Sequence, residues 1–283
     1  MPIDAKRSRM TIHKLAREIT RLSRKSAPEA VHKFRTHSRR VEALLSEVVL
    51  EQHRNDRKLL KLLGRLRKKA GRVRDLDVQI AALHNLKVPL GNGHKAQFLQ
   101  ALVAERARRE QKLAKAFDPE TAAQLRKRLN RAARRMTIPK NSEPLTTVFR
   151  TLAALGQEHV PLTEKTLHQY RIIGKRARYI AELSGDDAEA KRAVEQLKHM
   201  QDVIGDWHDW LKLTQKAEEL LGSIRDSALV AMLRNVTQAK FRQSLDAVAE
   251  LRTALAAKGS GALPQPAETR KPPAKVLSRS AAA

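Results

Sequence analysis

The 283-residue chain has no cysteine, which excludes a disulfide framework and a thiolate metal site and fits a reducing compartment. Aromatics amount to 3% of residues, too few for recognition built on stacking bases along a single strand. No run of about 18 apolar residues occurs, so no membrane span is predicted and the chain reads as a soluble, cytoplasmic protein. The N-terminal MPIDAKRSRM lacks the apolar core of a signal peptide. Phosphate-binding Gly-rich loops, HExxH and GxSxG are all missing, so neither catalysis nor a cofactor is expected. His199 and His208 fall on opposite helix faces and cannot share a metal within one helix. Acids are also scarce: 30 Asp and Glu face 57 Lys and Arg, a net charge of +27. A small domain kept in solution by charge carries about 2–8. So large an excess draws polyanions: nucleic acid, an anionic membrane or a phosphate polymer.

What fills the chain is helix. Glycine and proline number 11 each, alternating strand-like runs are absent, and apolar residues recur at helical spacing as far as Ala257. The spacing predicts helices near Thr11–Lys25, Pro28–Asn55, Arg57–Leu86 and Lys95–Met136, the last broken at Asp118-Pro119. Pro139 to Pro144 divides the chain. Helices then follow near Leu145–His159, Glu164–Leu183, Ala188–Leu221 and Ser223–Ala257. The expected fold is all-α, two pseudo-symmetric four-helix bundles spanning 11–257, with halves 11–138 and 144–257. Residues 1–10 are expected to be an N-terminal extension. Residues 258–283 hold four of the eleven prolines and five bases against one acid, and read as a disordered basic Pro/Ala-rich tail.

The division is more than a count of helices. VHKFRTHSRRV at Val31–Val41 returns as LHQYRIIGKRA at Leu167–Ala177, an offset of 168 − 32 = 136 residues. Each copy has a histidine, then bases at +3, +7 and +8: His32, Arg35, Arg39 and Arg40, and His168, Arg171, Lys175 and Arg176. A GxxxD element follows each, Gly71 to Asp75 and Gly205 to Asp209, offset by 205 − 71 = 134. Two signals in register indicate a duplicated unit of about 135 residues.

On a helix with His32 at 0°, Arg35 and Arg39 fall at about −60° and −20°, Arg40 at about 80°, and Phe34, Val41, Leu44, Leu45 and Val48 on the far side. The histidine and two bases thus form a stripe opposite the apolar seam, and His168, Arg171 and Lys175 repeat it. Tyr179 and Ile172 share the second stripe, which predicts that the other bundle partly covers it. Lys61, Arg65, Lys68 and Arg72 form a further basic row on the third helix. Asp75 and Asp209 read as partners that orient arginines. Arginine suits phosphate because its planar fork donates two parallel hydrogen bonds. Histidine gains charge when an anion sits beside it.

The paired HxxRxxx[KR]R segments, with the RDLDV stretch Arg74 to Val78, resemble the conserved histidine α-helical domain, CHAD. The resemblance covers about 11–257. It implies two four-helix bundles with a basic surface between them that binds inorganic polyphosphate without catalysis, at polyphosphate granules. Carried over, it points to His32, Arg35, Arg39, Arg40, Arg74, His168, Arg171, Lys175, Arg176, Arg178 and Lys198. Two positions depart from its pattern: Glu42 stands opposite Arg178, and His208 opposite Arg74, which would make that contact depend on pH. Binding of nucleic acid through the basic surface or tail is the alternative that charge leaves open.

Overall fold

A computed structural model describes residues 3–49, 51, 53–88, 93–139, 144–157, 161–221 and 227–259. Among them are nine α-helices and no strand: α1 Ala5–Leu22, α2 Pro28–Ala43, α3 Arg54–Asn85, α4 His94–Ala114, α5 Pro119–Arg135, α6 Pro144–Gln157, α7 Glu164–Ala181, α8 Ala188–Leu221 and α9 Ala228–Gly259. The breaks expected at Pro89 to Asn92 and at 140–143, and the tail beyond Gly259, lie outside the described residues.

Three elements begin or end where local chemistry demands. α1 starts at Ala5 and not near Thr11, because the Asp4 carboxylate accepts the backbone N–H groups of Lys6 and Arg7 and caps the helix. The expected extension 1–10 therefore holds the first turns of α1. It is stitched to the second half: Asp4 N–H donates to Leu183 O at 3.1 Å, and Arg7 Nη1 to Gly185 O at 3.0 Å. α2 stops at Ala43 and passes into a π-turn, Leu44–Val48, before Val49 turns extended. The helix expected to reach Asn55 gives way there because the widened turn brings Leu44, Leu45 and Val48 all into the core. At Asp118-Pro119 the break occurs as expected. Asp118 accepts from Thr121 N–H at 2.9 Å, and a 3₁₀ turn, Lys115–Phe117, joins α4 to α5.

In the first half α1, α2, α3 and α5 pack in a ring, α1 on α2, α2 on α3, α3 on α5 and α5 on α1. α4 packs along the distal part of α3. The second half is a ring of α6, α7, α8 and α9. The rings are not separate bundles, since one apolar core runs through both: Phe34, Leu44, Leu45 and Val48 belong to the same cluster as Tyr170, Tyr179, Ile180 and Trp207. A second cluster joins the far ends of the long hairpins, Leu76, Leu83 and Phe98 with Leu213, Leu221 and Leu233. Burying this surface fixes α2 against α7 and α3 against α8. The two motif-bearing helix pairs consequently face one another.

Candidate polyanion groove

Where α2, α3 and α4 of the first half meet α7 and α8 of the second, an open groove of about 680 Å³ crosses the seam. Its lining includes Arg35, Arg39, Arg67, Lys68, Arg72, Arg109, Arg171, Lys212 and Lys216, nine bases, against three acids, Asp75, Glu105 and Asp209. His208, Gln79, Gly64, Gly71 and Leu76 complete the walls.

The two arginines at +3 sit deepest. Arg35 reaches across from α2 to α3, where its Nη1 lies 3.7 Å from Asp75 Oδ1. It can do so because residue 71 is glycine: a Cβ there would collide with Arg35 Nη1. Gly71 and Asp75 are one helical turn apart, so they share a face, the first giving the guanidinium room and the second fixing its rotamer. Arg171 runs likewise from α7 over Gly205, whose Cβ would stand 3.8 Å from its Nη2, toward Asp209. Burial holds both guanidinium pKa values below their ordinary level, with Asp75 and Asp209 opposing the shift. Arg171 Nε is buried with no hydrogen-bond partner among the described residues.

Lys175 lies half-buried beside them. Burial first, then the charges of Arg171, Arg39 and Arg35, push its pKa down to about 6. Burial raises Asp209 to about 6, reinforced by Asp75 and resisted by Arg171. At the groove's edge His208 and His168 approach with ring centroids 6.2 Å apart. Burial, then Arg171, Lys212 and His168, push His208 down to about 4, so its ring is neutral at pH 7. His32 is likewise lowered, by burial and then by Arg74, Arg35 and Arg40. A bound polyanion would oppose the lowering at Lys175, His208 and His32 and add to the raising at Asp209, because a nearby negative charge favours the protonated form.

The remaining sequence-derived positions divide. Lys68 and Arg72 line the groove, whereas Lys61 and Arg65, in the same predicted row, are exposed toward the α3 N-terminus and do not. Lys198 is exposed on α8 outside it. The +8 arginines leave the stripe altogether. Arg40 Nε donates to Glu182 Oε2 at 2.5 Å, and Arg176 Nε lies 3.2 Å from Glu47 Oε1. Each reaches into the opposite half, so they tie the seam together. Arg178 is held beside Glu182 at 3.6 Å and over the Tyr179 ring. Tyr179 is buried as expected, but Ile172 is 54% exposed, so the second half of that expectation fails. The helix carries it past the seam into solvent. Glu42 pairs with Arg67 at 2.7 Å, steering that base toward the groove.

Sequence reasoning missed Arg67, Arg109, Lys212 and Lys216. Lys212 and Lys216 stand four and eight residues after His208, on its helical face, and that spacing was a usable signal. Arg109 carried none, because the register of α4 against α8 arises only in the fold, where Glu105 bridges Arg109 at 3.2 Å and Lys216 at 2.6 Å. The RDLDV stretch splits its tasks: Arg74 faces His32, Asp75 faces Arg35, and Asp77 accepts from Arg106 Nε of α4 at 2.6 Å.

The CHAD domain profile matches residues 9–215. The chain belongs to the CHAD family. Its fold is similar to the crystal structure of the CHAD domain from the plant Ricinus communis, with a TM-score of 0.67 over 91% of this chain and 94% of that one, at 16% sequence identity. No curated protein matches it by sequence. Among the described residues, no helix is long and apolar enough to cross a membrane, which agrees with the expectation of no membrane span.

Proposed function

We propose that the groove of this CHAD protein binds inorganic polyphosphate without transforming it, in the cytoplasm at polyphosphate granules. The observation that carries this reading is the convergence, from both halves, of nine bases against three acids in one concave channel. The basic side chains there all suit phosphate oxygens. Arg35 is pre-set by Gly71 and Asp75, and Arg171 by the charge of Asp209, so little side-chain entropy is lost when they engage. The two groove aspartates lie against these arginines, in an orienting role. Polyphosphate is also the ligand that CHAD membership implies, and its thin, unbranched chain fits a channel gripped from two walls. Expected binding weakens steeply with salt, since each neutralised phosphate releases condensed counterions, by analogy with a slope of about −0.9 per phosphate on DNA.

The deciding experiment displaces labelled long-chain polyphosphate with unlabelled polyphosphate, duplex DNA or RNA at matched phosphate concentration. Polyphosphate should compete far better than either nucleic acid. Preferential displacement by nucleic acid would assign the groove to it instead.

A further inference from the structure

The first half carries a second basic surface that has no part in the groove. In the ring α1–α2–α3–α5, α5 lies diagonally across from α2, the helix that bears Arg35 and Arg39. One face of α5 is buried through Leu125, Leu129 and Ala132. At about 100° per residue, Lys127, Arg131 and Arg134 emerge within about 60° of one another on the opposite face. All three are exposed, and none forms an ion pair with a described residue.

α1 extends this face. Arg126 Nη1 of α5 donates to Thr20 Oγ1 at 3.2 Å, which fixes the flank of α1 turned toward α5. Arg9 falls within about 20° of Thr20 on that flank and Arg17 within about 60°. Both are exposed and unpaired among the described residues. Neither helix offers the patch an acid. Glu18 of α1 is buried and paired with Arg21, and Glu120 sits at the far end of α5 beside Gln124.

Five uncompensated bases on two helices whose axes stand about 8–10 Å apart make a broad patch, within which Lys127, Asn130, Arg131 and Arg134 line an open hollow of about 580 Å³ on α5 alone. A thin polyphosphate chain gains most where bases converge on it from both halves, as in the groove, whereas this hollow is lined by a single helix and the remaining bases stand on a second. A duplex is stiff over about 150 bp and offers two lines of phosphate across a groove of about 12 Å, which bases spread over two helices can meet together. No aromatic residue occurs in α5, so single strands gain no stacking there. We propose that the α1–α5 face binds the phosphate backbone of duplex nucleic acid without reading its sequence. The proposal stands apart from the polyphosphate reading of the groove. Together they would let one molecule hold a duplex and a polyphosphate chain on opposite sides of its first half.

The test uses the full chain and fluorescence anisotropy with a short labelled duplex and, in parallel, labelled long-chain polyphosphate. The triple variant K127Q/R131Q/R134Q should lose about tenfold or more in duplex affinity, and its log–log salt slope should flatten by about 0.9 for each phosphate no longer neutralised. Its polyphosphate affinity should stay within about twofold, and Arg35→Ala with Arg39→Ala should show the converse pattern. R9Q/R17Q, on the other helix, should weaken duplex binding in the same direction and serves as the independent variant should the triple one melt early. Equal losses for both polymers would make this face part of the polyphosphate surface. Duplex binding lost only in the groove variant would put the duplex in the groove. Unchanged duplex binding with lost adhesion to phosphatidylserine vesicles would make it a membrane surface. Each of these overturns the proposal.

Discussion

The two walls of the groove are built from equivalent positions but differ in how firmly they hold their charge. On the first-half side stand Arg35 and Arg39, which line the groove, and Arg74, which lies beside His32, all guanidinium groups that keep their charge. The corresponding second-half positions are Arg171, Lys175 and His208, of which Lys175 titrates at about 6 and His208 at about 4. The two aspartates differ as well: Asp75 is 59% exposed, whereas Asp209 is half-buried and raised to about 6. Burial explains the contrast, because the same substitutions in water would leave ordinary values. One wall is therefore a fixed electrode, and the other gains positive charge as the medium acidifies or as an anion arrives.

The largest expected effect comes from removing the fixed wall. Arg35→Ala with Arg39→Ala should cost long polyphosphate about 10²-fold in affinity or more at pH 7, since hydrogen bonds to charged groups contribute about 1.5–3 kcal/mol each. Arg171→Ala with Lys175→Ala should cost less at pH 7, because Lys175 is then largely neutral, and the two losses should converge near pH 5. Titration calorimetry at both pH values decides this. Binding the first wall raises the local concentration of chain at the second, so long polymers should lose more than very short ones. Losses that simply add at every polymer length would mean two independent surfaces.

The glycines give a smaller and more specific test. Gly71→Ala puts a methyl where Arg35 Nη1 lies, yet the obstructed atom is the tip of a flexible side chain. The helix should tolerate the change, because alanine is the better helix former by about 1 kcal/mol, so weaker binding would not arise from unfolding. Polyphosphate affinity should nevertheless fall by about tenfold as Arg35 is turned aside. Gly205→Ala meets Arg171 at an ordinary 3.8 Å and should change affinity less than about twofold. Equal effects would mean that the glycines do not position the arginines.

How much of this could be read beforehand follows from distance along the chain. The bases at +3 and +7 were legible because residues three and four apart share a helix face, and the GxxxD element was legible as a repeat in register. The task of Gly71 was not, since it depends on a side chain 36 residues earlier lying across it. The +8 arginines misled for the same reason. Helical angle alone cannot tell a base bound for the groove from one bound for Glu182 or Glu47 in the other half. Arg67 was overlooked because it lies at the margin of the α3 leucine seam, and its place is set by Glu42 and Ser38 of α2. The start of α1 was missed because its first turns carry almost no apolar residue, although Asp4 announces them.

The smallest effect isolates the titrating wall. Lys175 has a folded-state pKa of about 6, well under the ordinary lysine value, so the unfolded chain holds the extra proton between those two pH values. Its contribution to stability is therefore unfavourable in full below about pH 6 and fades as pH rises toward the unfolded value. Lys175→Met removes that burden, and its melting temperature at pH 7 should exceed the parent's by about 2–4 °C, a gap that closes toward pH 10. Binding should move the other way. As pH falls from 8 to 5 the parent protonates Lys175 and neutralises Asp209, and both changes add positive charge to the groove, so polyphosphate affinity should rise several-fold. In Lys175→Met only the Asp209 part of that rise should survive. A variant that melts no higher and keeps the full pH response would place the Lys175 ammonium in water, and the contrast between the two walls would then rest on His208 and Asp209 alone.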